Sequence, residues 1–317
     1  MRLCLLHLDD ALQLQNDFID HCERNGARHL HAEEVGGRVR LWGKDATLDE
    51  LRAHICGQAA HLGEGPKLWF MGSGDFHHVS AMLIDKALEA SAGQATVIHF
   101  DNHPDWVRFD DGMHCGSWVN RAAANPKVAK VITLGVASRD LRWPEFKGAN
   151  LSLMRDGKLE LFPFWHPPSR VRKQYGAGAG YRQQAKQLHW NTIAEQGDGP
   201  FLQLLLSRIA TADVYLTIDK DVLRGEDAVT NWDQGHLQLP YLLELIRAIG
   251  QRHRIIGADV TGDYSKPRYG GSVLTRLRKR GEILLDQPTC RPDMQTATRI
   301  NSAGNHALLD VLQQVMP

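Results

Sequence analysis

The chain has 317 residues, enough for one large α/β domain or two smaller ones, and its 37 Lys and Arg residues balance its 37 Asp and Glu residues. A formal net charge of zero gives no electrostatic case for a nucleic acid or an anionic membrane as partner, and the apolar stretches are of strand length, far short of a membrane span. The five scattered cysteines, Cys4, Cys22, Cys56, Cys115 and Cys290, form no CxxC pair, which argues against a disulfide framework and for a reducing, cytoplasmic setting.

Residues 1–10 turn acidic too soon for a signal peptide and read as a first strand, with His7, Asp9 and Asp10 as surface groups at its end. The apolar run 68–71 leads into Gly72-Ser73-Gly74-Asp75-Phe76-His77-His78. The glycine spacing there is wrong for a phosphate loop. Val79, Met82, Leu83 and Ala87 then recur at helical spacing, with Asp75 placed as the N-cap. The run 96–100 leads into Asp101-Asn102-His103-Pro104-Asp105, followed by Trp106, read as a packing residue, and by a loop that carries His114 and Cys115. Cys115 reads as a small buried thiol, not a nucleophile.

Residues 131–136 form another buried strand. The segment from about 138 to 199 breaks the rhythm and reads as an insertion beside the active crevice within one domain spanning 1–317. A helix over 201–212 feeds a strand over 214–218, which ends in Asp219-Lys220-Asp221. The loop Asn231-Trp232-Asp233-Gln234-Gly235 follows. A helix over 239–249, with Pro240 in its first turn, feeds a strand over 254–260, and a helix over 303–315 closes the chain. The short basic run 276–280 reads as a solvated face. Strands alternating with helices predict a doubly wound, mainly parallel sheet with helices on both faces.

In such a sheet, polar groups just past the carboxyl ends of strands converge on one crevice. Asp101, His103 and Asp105 alternate along an extended segment and point to one side, and Pro104 helps keep the backbone extended. Asp219 and Asp221 repeat the spacing from a second strand, and a histidine from Gly72–His78 approaches from a third. Carboxylates and imidazoles in this number suit one or two divalent transition metals.

With these three motifs in this order, the chain resembles the arginase/agmatinase (ureohydrolase) family. The family's signatures are Gly-Gly-Asp-His, Asp-Ala-His-x-Asp and Ser-x-Asp-x-Asp stretches; here they correspond to residues 72–78, 101–105 and 217–221, and the resemblance spans about residues 68–265. It implies a three-layer α/β/α fold and a dinuclear manganese centre. Asp101 and Asp219 would bridge the metals, Asp105 and one of His77 and His78 would complete one, and His103 and Asp221 the other. It also implies a small-molecule substrate and a homo-oligomer, and it places His114 where the family carries a proton-shuttling histidine.

Three departures stand out. The first motif has an extra residue and a doubled histidine, so either His77 or His78 could be the ligand. Val222-Leu223-Arg224-Gly225 replaces the Asp-Pro that usually follows the third motif. Gly262 sits near the position of the family's guanidinium-gripping glutamate, with Asp263 as a possible substitute and Asn231 and Asp233 as further substrate contacts.

The expected chemistry is hydroxide attack on the sp² carbon of a guanidino, amidino or related group. Two cations about 3.5–4 Å apart would share and acidify the water. Asp105 and His114 would be the catalytic groups, and imidazole suits proton transfer to a leaving amine. One alternative is a zinc deacetylase of the histone-deacetylase-like type, suggested by Phe76-His77-His78 and Gly257-Ala258-Asp259, with one zinc on Asp101, His103 and Asp259. Another is a non-catalytic metal-binding relative.

Overall fold

A computed structural model of the protein describes residues 1–288 and 292–316; Cys290 lies outside them. Eight strands build the central sheet: β1 (Arg2–His7), β2 (Arg28–His31), β3 (Lys67–Phe70), β4 (Ala95–Phe100), β5 (Val128–Leu134), β6 (Leu159–Phe162), β7 (Asp213–Asp219) and β8 (Arg254–Thr261). Their spatial order is β2-β1-β3-β8-β7-β4-β5-β6, and every neighbouring pair is parallel. The inner strands are apolar along most of their length because both faces of a parallel sheet are covered.

Successive residues of each strand feed opposite layers. Cys4, Leu6, Trp69, Val97 and Val131 pack with the helices Asp45–Ala59, Ser80–Glu89 and Trp118–Ala124. Leu5, Phe70, Ile98, Phe100 and Ile132 pack against Asn16–Arg24, Asp198–Arg208, Leu239–Arg252 and Met294–Val315. The result is the three-layer α/β/α arrangement.

Residues 138–199 divide in the structure. β6 joins the central sheet beside β5, while Ser169–Arg170, Ala177–Gly178, Tyr181–Gln184 and Gln187–Trp190 form a separate four-stranded sheet. Three local expectations change. The last helix begins at Met294, nine residues early, because Asp293 caps it by accepting from Thr296 N. The basic run 276–280, on the helix Val273–Asp286, is a solvated face except at Lys279, which is buried and donates to Arg38 O and Trp42 O. Asp75 is not a helix N-cap: Ser73 caps the short 3₁₀ turn Gly74–Val79, and the buried Asp75 carboxylate pairs with Arg40 Nε at 2.6 Å. Among the described residues no helix is long and apolar enough to cross a membrane.

Candidate metal centre

The carboxyl ends of β3, β4 and β7 deliver the three motifs to one crevice. His77 comes from the 3₁₀ turn after β3, and Asp101, His103 and Asp105 from the segment after β4. Asp219 ends β7, and Asp221 sits in the turn Lys220–Val222. Two groups of potential ligand atoms result: His77, His99, Asp101 and Asp105 form one, and Asp101, His103 and Asp221 the other. Asp101 belongs to both.

The hydrogen bonds around His77 fix what it offers. Thr217 Oγ1 donates to Asp259 Oδ1 at 2.8 Å, so it accepts from His77 Nε2 at 2.9 Å. The neutral ring is thereby left with a bare lone pair on Nδ1. That atom lies 2.9 Å from Asp101 Oδ2, 3.2 Å from Asp105 Oδ2 and 3.6 Å from Asp219 Oδ2, buried and without a well-formed hydrogen bond. Acceptors facing acceptors repel unless a cation or a proton joins them. His103 is arranged alike: Nε2 faces Asp233 Oδ1 at 2.8 Å, leaving Nδ1 toward Asp221 Oδ2 at 2.9 Å and Asp101 Oδ1 at 3.5 Å.

Burial alone would suppress charge on His77, but the carboxylates of Asp101 and Asp105 outweigh it and hold its pKa well above the usual histidine value. Burial and the negative charge of Asp101 push Asp105 and Asp219 up to about 6. The same two causes, with Asp219, raise Asp221 well above the carboxylate range. Four buried carboxylates cannot all ionise cheaply side by side, and divalent cations relieve that repulsion. The donor set therefore fits metal.

The backbone is shaped for this cluster. Asp105 has φ of 48°, a left-handed conformation costly for a non-glycine residue, and Trp118 Nε1 holds its carboxylate at 2.6 Å. Gly74 and Gly262 flank Asp219 so closely that a Cβ on either would press into its carboxylate.

His77, Asp101, His103, Asp105, His114, Asp219, Asp221 and Asp233 share one cavity of about 770 Å³. His114 accepts from Gly116 N through Nδ1 at 2.8 Å, and its Nε2 faces Glu282. Asp233 stands at the mouth; although burial works against it, His103 holds its carboxyl below the usual range. Cys115 is buried, and burial pushes its thiol well above the ordinary value. Trp106 is 1% exposed, a packing residue.

Other expected site residues lie elsewhere. His78 is fully buried outside both donor groups, with neither ring nitrogen partnered. Asp263 does not line the cavity: it is buried against Lys220 Nζ and accepts from Asn305 Nδ2. Asn231 ties loops together, accepting from Ser73 Oγ and donating to Ser265 O. Asp259, the third ligand of the zinc alternative, is spent on Ser80, Tyr215 and Thr217 and stands apart from Asp101 and His103. His7 is not a surface group but 2% exposed, and Asp9 is held by Arg40 Nη1 at 3.0 Å.

Two participants escaped the sequence reading. His99 precedes Asp101 by two residues, so the alternation that aligns Asp101, His103 and Asp105 extends back to it; its Nε2 lies 2.9 Å from Asp101 Oδ2. Glu282 comes from a helix distant in sequence and carries no local signal.

No protein-family model matches the sequence. Over 204 residues, 64% of the chain, it is 26% identical to an uncharacterized protein of Thermotoga maritima, and the match spans 59% of that protein's length. Solved structures match over nearly the whole chain. Arginase from Bacillus caldovelox aligns with a TM-score of 0.58 at 14% identity, covering 97% of each chain. The proclavaminate amidino hydrolase from Streptomyces clavuligerus aligns at 0.56 and 15%, covering 96% of this chain and 91% of its own. Formimidoylglutamase from Bacillus subtilis aligns at 0.56 and 14%, covering 98% and 87%.

The fold is arginase-like. At these identities the likeness establishes architecture, and the buried His/Asp cluster at the strand ends of that arginase-like sheet is compatible with a metal site.

Proposed function

We propose that the chain is a divergent ureohydrolase: a hydrolase with two divalent cations, manganese by its oxygen-rich donor set, that cleaves a C–N bond in a guanidino, amidino or related small molecule. The observation that carries this reading is the sharing of Asp101 between two donor groups, one built around His77 and the other around His103. Asp105 and Asp219 would complete the set, with Asp219 as the second bridge.

When bound, such ions acidify water and neutralise developing negative charge. The chain's own residues supply the rest. Thr217 and Asp259 hold His77 in the tautomer that presents Nδ1, and Asp233 does the same for His103. His114, on the cavity wall with Glu282 at its Nε2, would pass a proton to a leaving nitrogen. The cavity lining also carries Arg139, and Lys147 paired with Asp140 and Asp286, so charged groups of both signs border the space a small substrate would enter.

The names of the structural neighbours, amidino hydrolase and formimidoylglutamase, point to groups with an sp² carbon bonded to nitrogen. Asp263 and Asn231 are engaged elsewhere, so substrate recognition would rest on the mouth and not on a carboxylate from the β8 end. The zinc alternative loses support with Asp259 occupied, and an open cavity beside an intact donor set favours catalysis over a purely structural metal. The test is to assay the manganese-loaded protein for release of urea, ammonia or acetate from guanidino, amidino and acylamine compounds. Urea or ammonia release that Asp101→Ala abolishes supports the proposal; acetate release alone, or no turnover across the panel, contradicts it.

A further inference from the structure

A second cluster of imidazoles lies at the edge of the sheet, on β1 and β2. His29 and His31 alternate along the edge strand β2, so both point to one face. His7 ends β1 directly opposite His31 in the parallel register. The three rings lie nearly parallel, with centroids 5.1 Å apart for His7 and His29 and 4.8 Å apart for His7 and His31, and His7 meets His29 edge to edge. One ring nitrogen from each lies within 4.8 Å of the others.

We propose that His7, His29 and His31 form a second metal site, separate from the crevice, that binds one imidazole-preferring divalent ion of the zinc class. His7 is 2% exposed, its Nε2 meets only His29 Nδ1 at 2.9 Å, and its Nδ1 has no partner. A buried imidazole left half-matched is costly without a further ligand. Carboxylates stand behind the other two rings: Glu33 Oε1 lies 3.1 Å from His31 Nδ1, and Glu23 Oε1 lies 3.3 Å from His29 Nε2. A carboxylate on the far nitrogen of a ligating histidine orients the ring and raises its basicity. Burial, with the neighbouring imidazoles, lowers the His7 pKa to about 4, so its ring is neutral and keeps a lone pair at neutral pH.

The backbone at the site is held as well. Gln58, from the helix Asp45–Ala59, accepts from His31 N through Oε1 and donates to His31 O through Nε2. Three imidazoles without a thiolate or a crowd of carboxylates suit zinc, cobalt(II), nickel or copper rather than manganese or calcium. As the ion enters, the proton that His7 and His29 share moves by exchange with solvent to His7 Nδ1, so that each ligating imidazole stays neutral. His31 is exposed, so the fourth position is open to water.

The experiment titrates cobalt(II) into chelator-stripped protein and follows visible absorption and stoichiometry in the wild type, His31→Gln and His29→Gln. His31→Gln changes an exposed side chain and leaves the fold intact. The expected result is one equivalent fewer in each variant, with that equivalent retained in Asp101→Ala and displaced by zinc. An anomalous-scattering peak from zinc-soaked wild-type crystals should lie among the three rings. Equal stoichiometry in wild type and both variants, or no density among the rings, overturns the proposal. Because the readout is the difference between variants at the sheet edge, it stands or falls independently of the crevice metals.

Discussion

Thr217 Oγ1 lies 2.8 Å from Asp259 Oδ1 and 2.9 Å from His77 Nε2, so one hydroxyl fixes which nitrogen of His77 faces the carboxylates. Replacing Thr217 with valine keeps the shape and removes the acceptor. His77 then loses its tautomer preference, and metal affinity should fall about 10–100-fold, the usual cost of losing such an outer contact. Calorimetric titration with manganese checks this; unchanged affinity would mean that His77 does not ligate.

The two adjacent histidines should behave differently. His77→Ala should lose metal. His78→Ala should keep it while lowering stability by about 1–3 kcal/mol through the cavity it leaves. Elemental analysis and denaturant melts separate the two effects, and equal metal retention in both variants would remove the first motif from the site.

Gly262 has φ of 96°, and a Cβ there would meet Asp219 Oδ1 and Lys220 N. Gly262→Ala should therefore cost on the order of 1–3 kcal/mol in backbone strain and also displace the Asp219 carboxylate. Lower metal occupancy together with a lower Tm is the expected signature; a variant with both unchanged would contradict the cradle.

Metal affinity should rise with pH. In the metal-free fold Asp105 and Asp219 are pushed up to about 6 by burial and by Asp101. Raised carboxyl values mean that the folded state holds extra protons. Their stabilising effect is therefore full below the ordinary carboxylate range near pH 4 and is lost as pH climbs through about 6. A cation must displace those protons, so binding at pH 5 should be weaker than at pH 7 and should release protons. Titrations in buffers of different ionisation enthalpy measure the release, and pH-independent affinity would contradict this arrangement.

His114→Asn should keep the metals and lose about 10²–10⁴-fold in turnover, the usual worth of a positioned acid–base group. Added imidazole should restore part of it. Glu282→Gln should shift the pH profile of turnover without removing metal. Normal kinetics in His114→Asn would assign the proton transfer to another group.

The strand ends that carry the candidate donors are legible in sequence because their logic is local: Asp101, His103 and Asp105 declare a shared side by alternation alone. His99 obeys the same rule but sits inside a fully buried strand, where an imidazole looks like core. Choosing His77 over His78 required the path of the 3₁₀ turn, which spacing does not encode. The contacts Thr217–Asp259, 42 residues apart, and His114–Glu282, 168 apart, arise from tertiary pairing. Asp263 looked available because nothing local announces that the buried Lys220 claims it. β6 was hidden within 138–199 because four residues are too few to show a period.

The count of metal ions per chain in the crevice tests the central claim most directly. Protein stripped with chelator, reloaded with manganese and crystallised should show two anomalous peaks in the crevice, both within ligand distance of Asp101, and Asp101→Ala should lose them. A single ion there, or two ions retained in Asp101→Ala, would contradict a dinuclear centre bridged by that residue.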